Sequence, residues 1–113
     1  MTLAEVKEIL ACEVLHGDDL DRVEIKTGCG CDLMSDVLRF VKPGALLLTG
    51  LTHTQVVRTA EMAEIRAICF VRGKKPDEET IRLAKARGIW LLATRLPLFE
   101  SCGKLYRQGL RGC

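Results

Sequence analysis

Three apolar runs divide the back half of the chain into equal parts. Ala45-Leu46-Leu47-Leu48-Thr49, Ala67-Ile68-Cys69-Phe70-Val71 and Ile89-Trp90-Leu91-Leu92-Ala93 begin at 45, 67 and 89, each 22 residues after the last. None alternates with polar residues, which is the pattern of a strand buried on both faces, as happens when helices cover a parallel sheet. A stretch of helical periodicity follows each run. Val56, Val57, Ala60 and Ala63 form the inward face of the first, Ile81 and Ala84 that of the second, and Leu98, Phe99, Cys102, Leu105 and Tyr106 that of the third. Three strand-helix units in succession predict an α/β fold, a three-layer domain with a mainly parallel central sheet of about five strands flanked by helices.

The joints carry the residues that stop and start elements. Lys42-Pro43-Gly44 precedes the first unit, Arg87-Gly88 closes the second helix, and Pro97 is suited to the first helical position of the third. In the front third, Thr2-Leu3-Ala4-Glu5 has the capping-box form and predicts a helix over Leu3 to Ala11 that buries Leu3, Val6, Ile9 and Leu10. Cys12 to Leu15 reads as a short strand broken by the turn formers His16-Gly17-Asp18-Asp19, where His16 is expected to face water. Val23 to Thr27 alternates, as an edge strand with one solvated face would. Gly28-Cys29-Gly30-Cys31 then reads as a turn, and Met34, Val37, Leu38 and Val41 fall on one helical face.

Composition narrows the function classes. At 113 residues there is room for one domain, 1–113, with no flexible linker and no second catalytic unit. No apolar stretch approaches the roughly 20 residues of a membrane span, and a net charge of +2 gives no reason to expect a nucleic-acid partner. Lys104, Arg107 and Arg111 read as a solvated basic face. The chain opens on a capped helix without a basic leader and carries six cysteines, which together predict a cytoplasmic protein with reduced thiols. Cys12, Cys69 and Cys102 read as small core residues, and the terminal Cys113 as mobile.

Ligands of a parallel sheet bind beyond the carboxyl ends of its strands, which directs attention to the loops after the three runs. Helix amino termini favour anions where no side-chain carboxylate already holds that position. Lys74-Lys75-Pro76 leads into Asp77-Glu78-Glu79, so that helix supplies its own negative charge and its lysines read as solvated or paired. The loop Thr49-Gly50-Leu51-Thr52-His53-Thr54 has no acid before Glu61, and it offers hydroxyls and a glycine. Thr49, Gly50, Thr52, His53 and Thr54 are therefore the candidate contacts for a phosphate or nucleotide; Thr52 or Thr54 acting simply as a helix cap is the competing account. Cys29 and Cys31 are the second candidate, as ligands of a soft metal or as redox thiols. A structural metal site needs about four ligands, so this pair would have to recruit His53, Cys102, Cys113 or a partner subunit. Asp32 and Asp36 stand one helical turn apart, where capping and dipole stabilisation explain them more simply than acid-base work. No nucleophile elbow, Walker loop or His-Glu-x-x-His motif is present, so no catalytic residue and no cofactor is assigned.

Asp32 to Leu38, Leu46 to Gly50 and Gly73 to Asp77 together resemble a stand-alone DRTGG-domain protein over essentially the whole chain. Thr49-Gly50 match the start of the family's Thr-Gly-Gly loop, with Leu51 in place of its second glycine. The resemblance implies a small α/β domain similar to the amino-terminal domain of HPr kinase/phosphorylase, whose phosphate-binding loop belongs to a different domain. Related domains accompany paired CBS modules in regulated pyrophosphatases and occur in phosphotransacetylases as regulatory or assembly modules. One function then expected is a non-catalytic regulatory or assembly module that forms a homodimer, senses a nucleotide or other anionic metabolite at the Thr49-Gly50 loop, and has an unidentified protein partner. The residues leave open a different class: a thiol-dependent accessory protein that uses Cys29 and Cys31 to engage a metal, an iron-sulfur cluster or a redox partner.

Overall fold

The computed structural model describes residues 1–112. Five strands form one sheet in the order β1-β5-β4-β3-β2, with β1 Glu13–His16, β2 Gly28–Gly30, β3 Leu46–Thr49, β4 Ala67–Phe70 and β5 Trp90–Ala93. The strands β2, β3, β4 and β5 are mutually parallel; β1 runs antiparallel to β5 and closes that edge. The register of the sheet follows the repeat in the sequence to within one residue: Leu47 lies beside Ile68, 21 residues on, and Ile68 beside Leu91, 23 residues on.

Helices α1 (Leu3–Leu10) and α5 (Leu98–Arg107) cover one face, and α2 (Met34–Phe40), α3 (Thr54–Met62) and α4 (Glu78–Arg87) the other. Alternate side chains of each run feed the two layers: Leu46, Leu48, Ala67 and Cys69 pack with Leu3, Val6 and Leu105. Leu47, Ile68, Phe70 and Leu91 pack with Val37, Val56, Val57 and Ala84. Burial on both sides explains why β3 and β4 carry no polar alternation. At the start of α1 the Thr2 hydroxyl accepts from the Glu5 amide at 3.2 Å and the Glu5 carboxylate accepts from the Thr2 amide at 3.1 Å, completing the capping box. Gly88 closes α4 in the left-handed conformation, as expected for a glycine after a basic last turn.

Several expectations change. Val23 to Thr27 is not a ladder strand: Val23 and Ile25 are buried as the alternation requires, but the segment bonds to the start of α1 and to Gly44, with one isolated bridge at Glu24. The edge strand is instead Gly28–Gly30, the segment that reads as a turn. Its glycines are there because α5 crosses directly over it. A β-carbon at Gly30 would stand 2.4 Å from Cys102 Sγ, and one at Gly28 would stand 2.9 Å from Leu110 Cδ2. Among the apolar side chains, Leu38, Phe99 and Tyr106 are exposed, Phe99 to 88%, because α2 and α5 each have a neighbour on one side only. Ile9 is half-buried at the margin of the core. Finally, Pro97 is the N-cap of α5 and not its first helical residue, and His16 ends β1 half-buried.

Candidate anion-binding loop and its surroundings

The loop after β3 begins inside the protein. Thr49 is fully buried, and its hydroxyl donates to Asp32 Oδ1 at 2.7 Å while the Gly50 amide donates to the same oxygen at 2.8 Å. The Leu51 amide in turn donates to Thr49 Oγ1 at 3.2 Å. Sheet register brings these groups together. Gly30 pairs with Leu48, so the residue two beyond Gly30 comes to lie beside the residue two beyond Leu48. The absence of an acid from the loop itself is thus made good in space by the connection next to it. Asp32 does not cap α2, as its position at the helix start suggested. Leu33 is the N-cap there and makes no side-chain cap bond, while Asp36 does sit in the first turn.

Beyond Leu51 the loop is open. Thr52 and Thr54 are half-buried and His53 is exposed. His53 is the N-cap of α3 and makes no side-chain cap bond, so neither Thr52 nor Thr54 caps this helix. There is no acid in the first turn of α3. In α4, by contrast, Asp77 accepts from the Thr80 amide at 2.9 Å and the Thr80 hydroxyl at 2.8 Å, with Glu78 and Glu79 behind it. These two hydrogen bonds hold the Asp77 carboxyl below its usual range. Lys75 is paired with Glu13 at 2.9 Å, as the sequence suggested for one of these lysines. Of the five loop candidates, then, Thr49 and Gly50 already serve an internal carboxylate, and Thr52, His53 and Thr54 form the exposed approach to α3.

The thiols are distributed over both faces of the sheet. Cys29 and Cys31 are half-buried and pack toward α2 and α3, with Cys31 Sγ 3.4 Å from both the Leu33 amide and its carbonyl. Cys102 lies on the opposite face against Gly30, and burial pushes its thiol up. Its side of the sheet is therefore wrong for joining Cys29 and Cys31 around one ion. Among the described residues no group of three or more metal-ligating side chains converges, and Cys113 lies outside them. Cys12 and Cys69 are buried core residues whose sulfurs are 3.8 Å apart. The Cys12 thiol and burial both push Cys69 up, which keeps it a thiol.

The missed participant is Asp32. Its role has no local signature, because it depends on where β2 is placed, and the glycines that mark β2 as a close-packed strand equally mark a turn.

No curated protein matches the chain in sequence. Among solved structures it resembles the regulatory region of Clostridium perfringens pyrophosphatase, comprising CBS and DRTGG domains, in complex with the activator diadenosine tetraphosphate. The TM-score is 0.72 at 15% identity, over 92% of this chain and 45% of that one, so the chain spans less than half of that regulatory region. The likeness confirms the fold. The DRTGG domain model matches residues 5–107, nearly the full length, and the chain belongs to the DRTGG domain family.

Proposed function

We propose that this protein is a non-catalytic regulatory or assembly module of the cytoplasm that works as a homodimer and senses a nucleotide or other anionic metabolite at the start of α3. The observation that carries this reading is the contrast between helix starts: α4 has its own carboxylates, whereas α3 has neither a side-chain cap nor an acid in its first turn. Thr52, His53 and Thr54 supply donors around that end. The Gly50 amide and Thr49 hydroxyl become available only when Asp32 gives way, so a ligand reaching Gly50 competes with an internal carboxylate. A nucleotide is the favoured class because the pyrophosphatase region of the same fold is captured with a dinucleoside polyphosphate activator.

Self-association is supported by Phe99 and Tyr106. Both are exposed on α5 with Gly103 between them, and nothing stands within 4 Å of where a Gly103 β-carbon would be, so a second helix could approach closely.

Thermal titration with adenine and guanine nucleotides tests the sensing half. A stabilisation that disappears in His53→Asp, which puts a carboxylate at the observed cap position, supports it. An equal response in both proteins would move the site elsewhere, and no response in the wild type would leave assembly alone. Light scattering tests the assembly half, with a dimer expected for the wild type and a monomer for Phe99→Lys. ATP turnover that follows the protein through purification would contradict a non-catalytic role.

A further inference from the structure

A second crevice opens where the chain changes sides of the sheet. The helix after β4 lies on the α2–α3 face and the helix after β5 lies on the α1 face, so the β4–α4 and β5–α5 connections diverge. Such a switch point leaves a gap beyond the strand ends. Here the gap measures about 410 Å³ and draws its walls from the end of α1, the start of β1, both diverging connections and α5. The backbone around it is built with some strain. Arg72 takes a positive φ of 61° ahead of Gly73, and the two amides donate to the carbonyls of Leu96 and Thr94, each at 2.9 Å.

Three cations from separate segments line this gap: Lys75, Arg95 and Lys104. The sequence suggests no link between them, since Lys75 reads as solvated or paired and Lys104 as part of a solvated basic face. Glu13 is the acid in the lining, and it is already bonded to Lys75. Arg95 and Lys104 make no ion pair among the described residues. A helix carboxyl end normally repels anions, yet at the end of α1 three of the last four carbonyls, those of Lys7, Glu8 and Leu10, are occupied. Lys7 and Glu8 accept from the Ala11 and Cys12 amides, and Leu10 accepts from the Thr94 hydroxyl at 2.7 Å. Ile9 and Leu96 add apolar wall.

The geometry points to a binding site for a small organic phosphate in this crevice. Arg95 and Lys104 meet the phosphoryl oxygens, Lys75 adds charge as its bond to Glu13 loosens, and the organic group lies against Ile9 and Leu96. The site is separate from the start of α3 and does not depend on the function proposed there.

Phenyl phosphate is the probe, added to the ¹⁵N-labelled full chain, with sodium chloride at matched ionic strength as control. Amide shifts are expected at Gly73, Lys75, Thr94 to Leu96 and Lys104. Arg95→Gln combined with Lys104→Gln should raise Kd about tenfold or more, as expected for loss of charge-assisted bonds. Both side chains are on the surface, and the wild-type shift map stands even if that variant folds poorly. Glu13→Gln should tighten binding about twofold to fivefold by releasing Lys75. Shifts confined to 50–54 would overturn the crevice while favouring the α3 site. Absence of shifts, or equal shifts with sodium chloride, would overturn it as well. Inorganic phosphate binding as tightly as phenyl phosphate would overturn the assignment of an organic ligand.

Discussion

The helices that follow β3 and β4 belong to equivalent strand-helix units, yet they meet the same electrostatic demand in different ways. α4 answers it locally: Asp77 caps the helix through Thr80, and two glutamates follow. α3 has no such residues, and the loop ahead of it receives a carboxylate from the β2–α2 connection, where Asp32 holds Thr49 and Gly50. A cap built into its own helix depends on four consecutive residues. A carboxylate delivered across a sheet depends on a strand register and on whatever maintains it. The second arrangement can be displaced by a ligand without unfolding the helix, which is a reason to look for regulation at α3 and stability at α4.

The largest effect should come from disturbing the strand that delivers Asp32. Gly30→Ala sets a β-carbon 2.4 Å from Cys102 Sγ and 3.3 Å from Leu98 Cδ1, an overpacking expected to cost about 1–3 kcal/mol in denaturant unfolding. Cys102→Ala in the same protein should recover part of that loss. A Gly30→Ala protein of wild-type stability would mean that α5 does not constrain β2. Next in size is Asp32→Ala, which strands the buried Thr49 hydroxyl; about 1–2 kcal/mol is expected, toward the lower end because the carboxylate itself is exposed. Hydrogen exchange should quicken at Gly50 in this variant and stay unchanged in α4.

Asp77→Asn should have a smaller effect, and its dependence on pH identifies the cause. The folded Asp77 carboxyl lies below its ordinary value of 3.8, so its stabilisation is complete above the unfolded value and is lost as pH falls through the lower, folded one. The gap in stability between wild type and Asp77→Asn should therefore be constant near neutrality and close in strong acid. A gap that persists in acid would assign the effect to shape and not to charge. The smallest change is a gain. His53→Asp gives α3 the local carboxylate that α4 already has and should stabilise the protein by about 0.5–1 kcal/mol, measured by thermal unfolding at low salt. A loss in stability would show that Asp32 already compensates this helix.

What the sequence determined alone is everything carried by neighbours along the chain. The apolar runs place β3, β4 and β5, because a strand covered on both sides has no position for a polar residue. Thr2 with Glu5, Asp77 with its acids and Gly88 mark helix ends through contacts spanning no more than five residues. The loop after β3 is legible for the same reason, as a stretch without acids of its own. What only the tertiary structure decided involves residues far apart in the chain. Gly28–Gly30 is a strand because α5 crosses it, Phe99 and Tyr106 are exposed because no helix of the described residues packs on the outer side of α5, and Lys75, Arg95 and Lys104 share a crevice because the chain changes faces at β5, between α4 and α5. Asp32 belongs with these. A carboxylate at a helix start favours that helix on local grounds, but the buried Thr49 hydroxyl, which would otherwise lack an acceptor, and the half-buried Gly50 amide hold it instead, and the register of β2 against β3 puts them within its reach.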